Sequence, residues 1–308
     1  MAKKNNAKKT VLVTGGAGFI GSHLVDELVA QGNKVLIIDN LLSGKRENLN
    51  RKAKFYKLDV RQLNKIRPVF RGVDYVFHLA AYPRVQASID NPIMAHEINL
   101  NGTHNVLIAA KEAKVKKVVF ITSSSVYGDP EKMPVTEDLP AQPASPYALH
   151  KYMGEHYCKI FKKIYSLPTV SLRCFNVYGK RQPLEGDYSL VFVLFLNQRL
   201  KGQPMTIAGD GEQRRDFVNV ADVVRALIMA AKSRLVGDGE VINIGYGSNW
   251  SVNELAGLIG GPTINIPPKI EPRQTLADIT LAHRLLGWKP KIGLADWIKE
   301  YKKEIGLE

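Results

Sequence analysis

Residues 10–21 read TVLVTGGAGFIG, and this stretch decides the fold. The apolar run Val11–Val13 predicts a β-strand, and the amphipathic pattern over Phe19–Ala30 predicts a helix directly after the glycines. A strand, a glycine-rich turn and a helix form a dinucleotide-binding fingerprint, because glycines let backbone N–H groups approach a pyrophosphate that the helix N-terminus attracts. The glycines fit it at two spacings, Gly15-x-x-Gly18-x-x-Gly21 and Gly16-x-Gly18-x-x-Gly21.

The acidic residue at the end of the next predicted strand bears on whether the dinucleotide is NAD or NADP. Lys34–Ile38 is followed by Asp39, which lies 18 residues beyond Gly21. A carboxylate at this place accepts hydrogen bonds from an adenosine ribose and repels a 2′-phosphate, which favours NAD over NADP as the cofactor. Lys45 and Arg46 follow closely, so NADP stays open at this point.

Strand and helix patterns alternate over the first half of the chain. Apolar runs predict strands at Val11–Thr14, Val35–Asp39, Lys54–Leu58, Tyr75–Leu79, Val118–Thr122 and Thr169–Cys174. Helical patterns lie between most of them, at Phe19–Ala30, Gln62–Phe70, Ile93–Ala113 and Tyr147–Tyr165. The alternation predicts an α/β fold, a doubly wound parallel sheet in which ligands bind beyond the carboxyl ends of the strands.

The domain organisation follows from a change of pattern at about Gly179. From there, loops with Gly and Pro separate short helices. We expect a flexible basic leader at 1–9, a Rossmann-like nucleotide-binding domain at 10–178, and a smaller substrate-binding lobe that takes up most of 179–308. Some segments of this last part are expected to return to the large domain.

The composition is that of a globular protein of 308 residues with a net charge of +14. The basic residues are scattered over helical patterns without a zinc-finger or RNA-binding motif, so we predict no nucleic-acid partner and no metal site. Two cysteines do not make a disulfide framework, and no apolar run is long enough to span a membrane. These features predict a cytoplasmic protein without a membrane partner.

Tyr147 and Lys151 form the second informative pair. Residues i and i+4 lie on one face of a helix, so the phenol and the ammonium are expected side by side. A nearby cation favours the phenolate form of a tyrosine, which makes it a general base for a sugar hydroxyl. The pair by itself is also common on solvated helix faces.

A serine run, Ser123–Ser125, ends a predicted strand 22 to 24 residues before Tyr147. A hydroxyl at this strand end can hydrogen-bond the same substrate oxygen and assist the proton transfer. The alternative is a turn whose serine side chains bond the local backbone. Beside the Tyr/Lys pair and the nucleotide fingerprint, we favour the functional interpretation.

Taken together, the motifs resemble an extended short-chain dehydrogenase/reductase of the NAD-dependent epimerase/dehydratase family, most similar to its nucleotide-sugar 4-epimerases. The resemblance extends from Val11 to about Pro290. It rests on TGGAGFIGSHL at 14–24, DN at 39–40, LDV at 58–60, HLAA at 78–81, SSSVYG at 123–128, SPYALHK at 145–151, RCFNVYGKRQ at 173–182, GDGEQRRDFVNVADV at 209–223 and NIGYGSNWSVNEL at 243–255.

The resemblance implies a role for each matching residue. Tyr147 is implied as the base, Lys151 as its electrostatic partner and nicotinamide-ribose ligand, and Ser123 as the hydroxyl partner, with Ser124 as the alternative. The implied NAD pocket comprises Gly15, Gly18, Phe19, Ile20, Gly21, Asp39, Asn40, Asp59, Val60, Leu79, Ala80, Ala81, Asn99, Tyr147, Lys151 and Phe175. The implied substrate pocket, for a nucleoside diphosphate and its sugar, comprises Arg84, Ser123, Ser124, Tyr147, Asn176, Leu190, Thr206, Arg215, Val252 and Thr275.

The serine run also bears on the reaction, because dehydratases and decarboxylases of the family carry acidic residues there. Elimination of water needs an acid and a base, which hydroxyls do not supply. This favours a UDP-sugar 4-epimerase that oxidises C4, lets the keto-sugar rotate and returns the hydride, with NAD retained. A UDP-glucuronate 4-epimerase stays open because of Arg84 and Arg181. A dehydratase, a 4-reductase or a non-enzymatic NAD-binding module also stays open.

The segment around Thr275 bears on the sugar. Galactose-specific epimerases of the family carry a bulky Tyr at this place, so a small side chain implies room for an acetamido group. UDP-GlcNAc/UDP-GalNAc is therefore expected beside UDP-Glc/UDP-Gal. The Arg that usually precedes this segment is absent, with Pro268 or Lys269 near its place, and Arg273 or Lys269 are the candidates to replace it.

Relatives of this family also imply a homodimer. Its interface would be a bundle of the helices at about Ile98–Lys111 and Lys151–Tyr165.

Overall fold

The fold is described by a computed structural model over residues 8–182, 190–268 and 271–307. The first seven residues of the predicted leader and Lys269 lie outside the described residues. The strands are β1 (Thr10–Thr14), β2 (Lys34–Asp39), β3 (Lys54–Lys57), β4 (Tyr75–His78), β5 (Lys117–Ser123), β6 (Thr169–Cys174), β7 (Val177–Tyr178), β8 (Met205–Ala208), β9 (Arg214–Asp216), β10 (Val218–Asn219), β11 (Asp238–Ile244), β12 (Asn249–Ser251) and β13 (Thr263–Ile266). The α-helices are α1 (Phe19–Ala30), α2 (Leu63–Ile66), α3 (Val85–Asp90), α4 (Pro92–His96), α5 (Gly102–Glu112), α6 (Pro146–Tyr165), α7 (Val191–Leu200), α8 (Val220–Lys232), α9 (Val252–Ile259), α10 (Thr280–Leu286) and α11 (Leu294–Glu304).

A seven-stranded sheet has the order β11-β6-β5-β4-β1-β2-β3. β1 pairs in parallel with β2 on one side and with β4 on the other, and the pairs β2–β3 and β4–β5 are also parallel. The strand order therefore reverses at β1, which is the switch point where doubly wound sheets bind nucleotides. The predicted fold class is confirmed.

Two helices of the sequence prediction are interrupted. The pattern over Gln62–Phe70 forms α2 followed by a 3₁₀ turn at Arg67–Phe70, because Pro68 has no N–H to continue the α-helix. The pattern over Ile93–Ala113 forms α4, a π-helical segment at Glu97–Asn101, and α5. Single π-helical turns of this kind recur at functional sites.

The chain divides into two compact units. The first unit comprises the residues up to Thr122 together with Ser145–Leu172 and Leu227–Val241; the second comprises Ser123–Ala144, Arg173–Ala226 and the residues from Ile242 onward. The core of the first unit packs β-sheet residues such as Leu12, Ile38, Val118 and Phe120 against α5 and α6. The core of the second unit contains the rings of Tyr178, Phe192, Phe195 and Phe217. Across the described ranges, no helix has the length and apolarity needed to cross a membrane.

Candidate functional site

The glycine loop after β1 leaves no space for side chains. Gly15 has φ of +74°, and its N–H donates to Ile38 O at 2.8 Å. A Cβ on Gly15 would lie 2.7 Å from the backbone N of Ala80, and a Cβ on Gly21 would overlap the carbonyl oxygen of Gly15. Gly18 precedes α1 as its N-cap without a side-chain cap. Of the two possible glycine spacings, Gly15-x-x-Gly18-x-x-Gly21 includes the residue whose left-handed backbone conformation requires glycine, which is Gly15.

Asp39, the last residue of β2, is held against this loop. Its Oδ2 accepts from Ala17 N at 3.0 Å and its Oδ1 from Leu41 N at 2.8 Å. Burial raises the pKa of Asp39, and the two backbone hydrogen bonds oppose that rise. A carboxylate has about four acceptor positions, so both oxygens retain capacity for ribose hydroxyls. The glycine loop, whose largest side chain is the buried methyl group of Ala17, and this carboxylate fit the adenosine diphosphate half of NAD.

Asn40, Asp59 and Val60 lie at the neighbouring strand ends. Asn40 Nδ2 donates to Asp59 Oδ2 at 2.9 Å, and Arg61 donates to both oxygens of Asp59 at 2.8 to 3.0 Å. Partial burial raises the pKa of Asp59, but the hydrogen bonds from Arg61 and Asn40 outweigh it and lower the pKa to about 2. Val60 is buried against Gly102 of α5, where a Cβ would lie 2.7 Å from Val60 Cγ2.

A directed hydrogen-bond chain runs through buried His78. Thr103 Oγ1 donates to Asn99 O at 2.6 Å, so its oxygen accepts the Nε2 proton of His78 at 2.9 Å. Nδ1 is then the acceptor for Thr14 Oγ1 at 2.7 Å, and Thr14 Oγ1 accepts from Ala80 N at 3.3 Å. Burial, with the charge of Lys151, lowers the pKa of His78 to about 3. Sequence reasoning missed this network; its only signal was polar residues inside apolar strands.

Asn99 continues the network into the loop after β4. Its Oδ1 accepts from Tyr82 N at 2.7 Å and its Nδ2 donates to Tyr82 O at 3.1 Å. These bonds fix the chain that follows Leu79, Ala80 and Ala81, which are all half-buried. Hydrogen bonds from Asn99 in the π-helical segment therefore hold the loop that contains three other residues predicted for the NAD pocket.

Tyr147 and Lys151 share one face at the start of α6. Ser145 caps this helix by accepting from Ala148 N at 3.2 Å, and Tyr147 N donates to Ser88 Oγ at 3.0 Å. Lys151 Nζ lies 5.8 Å from the Tyr147 ring centroid and donates to Ile121 O at 2.9 Å. The ammonium is thus buried at a fixed position beside the phenol ring.

Glu155, one turn beyond Lys151, was not predicted. It is buried and accepts from Thr122 Oγ1 at 2.9 Å. Because i and i+4 lie on the same helix face, a carboxylate follows the ammonium along α6. The Tyr-x-x-x-Lys spacing continued by an acid at the next i+4 position was the available signal.

The serines lie in the second unit. Ser123 is the last residue of β5 and caps a 3₁₀ turn at Ser124–Tyr127, with its Oγ accepting from Ser125 N at 3.2 Å. Ser123 and Ser124 are both half-buried, so each presents surface to a ligand. Ser125 Oγ is buried and has no hydrogen-bond partner among the described residues.

Thr275 lies alongside β9, the strand that contains Arg215. Thr275 N donates to Arg214 O at 3.0 Å, and Thr275 Oγ1 accepts from Asp216 N at 3.2 Å. The Arg215 guanidinium donates to Glu271 Oε2 at 2.6 Å. The segment before α10 therefore packs along the strand that carries the predicted diphosphate ligand.

Asp216 anchors this arrangement and was not predicted. Its fully buried carboxylate accepts from the backbone N–H groups of Tyr246, Gly247 and Ala277 at 2.7 to 3.1 Å. Burial raises the pKa of Asp216 to about 6, against the lowering effect of these bonds. One carboxylate thus joins the turn after β11 to the segment that contains Thr275.

The other predicted substrate and cofactor residues of the second unit have structural partners as well. Asn176 Nδ2 donates to Asp216 O at 2.7 Å, and Thr206 is bonded through both N and Oγ1 to Gln198. Leu190 is the N-cap of α7, whereas Phe175 and Val252 are buried.

The additional arginines differ in their surroundings. Arg84 precedes α3 with φ of +83°, and Arg181 has φ of +64°; strained backbone of this kind clusters at functional sites. Arg273 makes a bidentate pair with Asp210 at 2.9 Å, which occupies both terminal nitrogens of its guanidinium.

Comparisons with known proteins extend these findings. The sequence profile of the NAD dependent epimerase/dehydratase family matches residues 11–245. A putative UDP-glucose 4-epimerase from Methanocaldococcus jannaschii is 41% identical over 298 residues, 94% of this chain and 96% of that protein. UDP-glucose 4-epimerase from Thermotoga maritima, solved with UDP-glucose, is 39% identical with a TM-score of 0.90, over 97% of this chain and 100% of that one. UDP-N-acetylglucosamine 4-epimerase from Methanobrevibacter ruminantium, solved with UDP-N-acetylmuramic acid, is 37% identical with a TM-score of 0.91, over 98% and 99%.

Proposed function

The chain belongs to the NAD dependent epimerase/dehydratase family, and on this premise we propose that it is an NAD-dependent UDP-sugar 4-epimerase. It inverts C4 of UDP-Glc/UDP-Gal and of UDP-GlcNAc/UDP-GalNAc through a transient 4-keto sugar. The observation that carries the proposal is the Tyr147–Lys151 pair, with its ammonium held by Ile121 O, in the same unit as the glycine loop.

The proton chemistry belongs to three side chains. Tyr147 Oη takes the proton from the C4 hydroxyl, while Ser123 Oγ hydrogen-bonds the same oxygen. NAD, when bound, supplies hydride chemistry by accepting hydrogen from C4 and returning it to the other face. Lys151 stabilises the phenolate, and Tyr147 gives its proton back at the end of the cycle. No proton, hydride or cofactor is consumed over the cycle, so an NAD molecule that stays bound supports repeated turnover without further NAD.

Binding of the substrate diphosphate is assigned to Arg215. A guanidinium presents paired donors that match phosphate oxygens. The small Thr275 side chain leaves room for an acetamido group beside the sugar ring. Ser123 is preferred over Ser124 as the catalytic hydroxyl because it is the last residue of β5, at the strand end where ligands bind in such sheets. Its Oγ also accepts from the backbone N–H of Ser125.

The test is incubation of the purified protein with UDP-Glc, UDP-GlcNAc and UDP-GlcA separately, without added cofactor, followed by NMR of the sugars. C4-inverted UDP-Glc and UDP-GlcNAc are expected. Inversion of UDP-GlcA alone would assign the glucuronate alternative. A 4-keto-6-deoxy product, or turnover only with added NAD(P)H, would assign a dehydratase or a reductase.

Tyr147→Phe distinguishes an enzyme from an NAD-binding module. We expect kcat to fall by about 10² to 10⁴, the usual contribution of a general acid–base, while NAD stays bound. Tyr152→Phe, on the same helix, is the matched control and should leave kcat unchanged. Absence of turnover in the parent protein would support the binding module.

We also propose that the protein is a cytoplasmic homodimer. Leu149, Met153, Ile160 and Ile164 are exposed apolar residues along α6, at intervals that keep them on one face. Cys158 and Cys174 are buried and form no disulfide within the described part of the chain, as in a reducing compartment. Ile164→Glu should convert the dimer to a monomer in light scattering, whereas Ile264→Glu, on exposed β13, should not. Cell fractionation tests the location.

A further inference from the structure

A cavity of about 450 Å³ lies in the first unit at the amino ends of adjacent strands. Its lining includes the first residues of β4, β5 and β11, which are Tyr75, Lys117 and Asp238, and Pro168 directly before β6. The glycine loop and Asp39 lie at the carboxyl ends of β1 and β2. The cavity is therefore at the opposite edge of the sheet from the proposed NAD site.

The lining is strongly basic. It contains five cationic side chains and one acidic side chain: Lys116, Lys117, Lys162, Lys232, Arg234 and Asp238. Lys162 pairs with Asp238 at 2.8 Å and Lys116 with Asp74 at 2.7 Å. Among the described residues, Lys117, Lys232 and Arg234 have no carboxylate within salt-bridge distance. Lys232 Nζ donates to Gln31 Oε1 at 2.9 Å, which leaves two of its three N–H groups for a ligand. Three positive charges thus remain around the cavity without a paired acid.

Lys117 is the buried member of this set. Its Nζ donates to Ser233 O at 2.6 Å and Ala230 O at 3.1 Å, which caps the C-terminal end of α8. An ammonium has three donors, so one N–H is left for a ligand. Burial lowers the pKa of Lys117, opposed by the charge of Glu240. Glu240 is itself engaged by the N–H groups of Gly237 and Asp238.

The remaining walls are apolar and come from Tyr75, Pro168, Leu235 and Val236. The volume falls within the range of about 300–1,000 Å³ that is typical of small-molecule sites. A compact group with two to three negative charges matches the three cations, and Arg234 adds paired donors suited to phosphate oxygens. An organic portion of the ligand would contact the apolar walls.

We propose that this cavity is a second ligand site, which binds the diphosphate group of a small molecule through Lys117, Lys232 and Arg234. The group comes either from inorganic pyrophosphate or from a nucleoside diphosphate. Both molecules carry the negatively charged diphosphate that the three cations bind. Only a nucleoside diphosphate would also contact the apolar walls.

The test is calorimetric titration of the NAD-containing full chain with inorganic pyrophosphate and, separately, with ADP. Lys232→Gln/Arg234→Gln removes two exposed cations and leaves buried Lys117 in place. Arg51→Gln/Lys52→Gln is the matched control, since it removes the same charges from another exposed loop of the first unit. Arg215→Gln reports any binding at the proposed substrate site.

We expect Lys232→Gln/Arg234→Gln to weaken pyrophosphate binding about tenfold, or about 1.4 kcal/mol, without a change in epimerase kcat. The Arg51→Gln/Lys52→Gln variant should bind as the parent does. Arg215→Gln should retain binding at the cavity and lose only the binding that occurs at the proposed substrate site. Tighter binding of ADP than of pyrophosphate would assign the nucleotide source, and equal or weaker binding the inorganic one.

No pyrophosphate or ADP binding by the parent would overturn the proposal. Equal loss in the Arg51/Lys52 control, or loss in Arg215→Gln alone, would do the same. The measurement does not depend on the proposed epimerase activity, so the two proposals fail separately.

Discussion

Replacing Glu271 by Gln tests whether a carboxylate of the chain itself competes with the substrate diphosphate. Glu271 Oε2 lies 2.6 Å from Arg215 Nη2, and Gln213 Nε2 donates to its other oxygen at 3.3 Å. A diphosphate bound to Arg215 must displace this carboxylate. Gln keeps an acceptor of similar size but removes the charge, so the guanidinium is released more easily.

The size of the effect follows from the surroundings of the pair. The Arg215 side chain is 13% exposed and that of Glu271 37% exposed, so solvent screens the interaction only in part. Exposed ion pairs contribute about 0.2–1 kcal/mol and hydrogen bonds to charged groups about 1.5–3 kcal/mol. Because Gln retains the hydrogen bond, we expect about 1 kcal/mol, which corresponds to about fivefold tighter UDP binding.

Calorimetric titration of the NAD-containing protein with UDP measures this change. Glu254→Gln is the matched control: Glu254 pairs with the neighbouring Arg214 at 2.8 Å, and Gln preserves its place in the capping box of α9. UDP should bind Glu254→Gln as tightly as the parent. Unchanged or weaker binding by Glu271→Gln would refute the competition, and an equal gain in the control would show only an effect of net charge.

Two further predictions concern the first unit. Gly21→Ala places a Cβ onto the carbonyl oxygen of Gly15, so we expect a loss of about 1–3 kcal/mol in the free energy of unfolding together with weaker NAD binding. The control is Gly257→Ala, where a Cβ meets no atom within 4 Å. Equal effects of the two variants in thermal unfolding and NAD titration would contradict the steric overlap at Gly21. His78 should stay neutral with its proton on Nε2 down to about pH 4, as seen in ¹⁵N NMR, and an imidazolium spectrum at pH 5 would be incompatible with the network. The pKa of His78 in the folded protein, about 3, lies below the usual 6.5. The contribution of neutral His78 to the free energy of unfolding is therefore fully present above pH 6.5. It falls by about 1.4 kcal/mol per pH unit as the pH drops from 6.5 towards 3.

Much of the first unit could be predicted because its signals are local. The glycine turn, α1 and the Tyr147–Lys151 face each depend on residues within a few positions of one another, and their bounds match closely. The interruption of the helical pattern at Glu97–Asn101 could not be predicted in this way. Asn99 there bonds the backbone of Tyr82, and a partner 17 residues away leaves no periodic trace.

The sequence by itself determined the fold class, the family and the strand-end residues of the proposed NAD site, because backbone freedom at glycine and helical periodicity are properties of short segments. Only the tertiary structure decided that β11 joins β6 in the main sheet, that Asp216 holds Ala277, and that Glu271 occupies Arg215. It also gathered the cations around the cavity from the start of β5, from α6 and from the end of α8, which are far apart in the chain. Such contacts depend on how segments distant in the sequence pack together. The burial of apolar surface that drives this packing is non-directional and involves the whole fold, so no local sequence pattern records it.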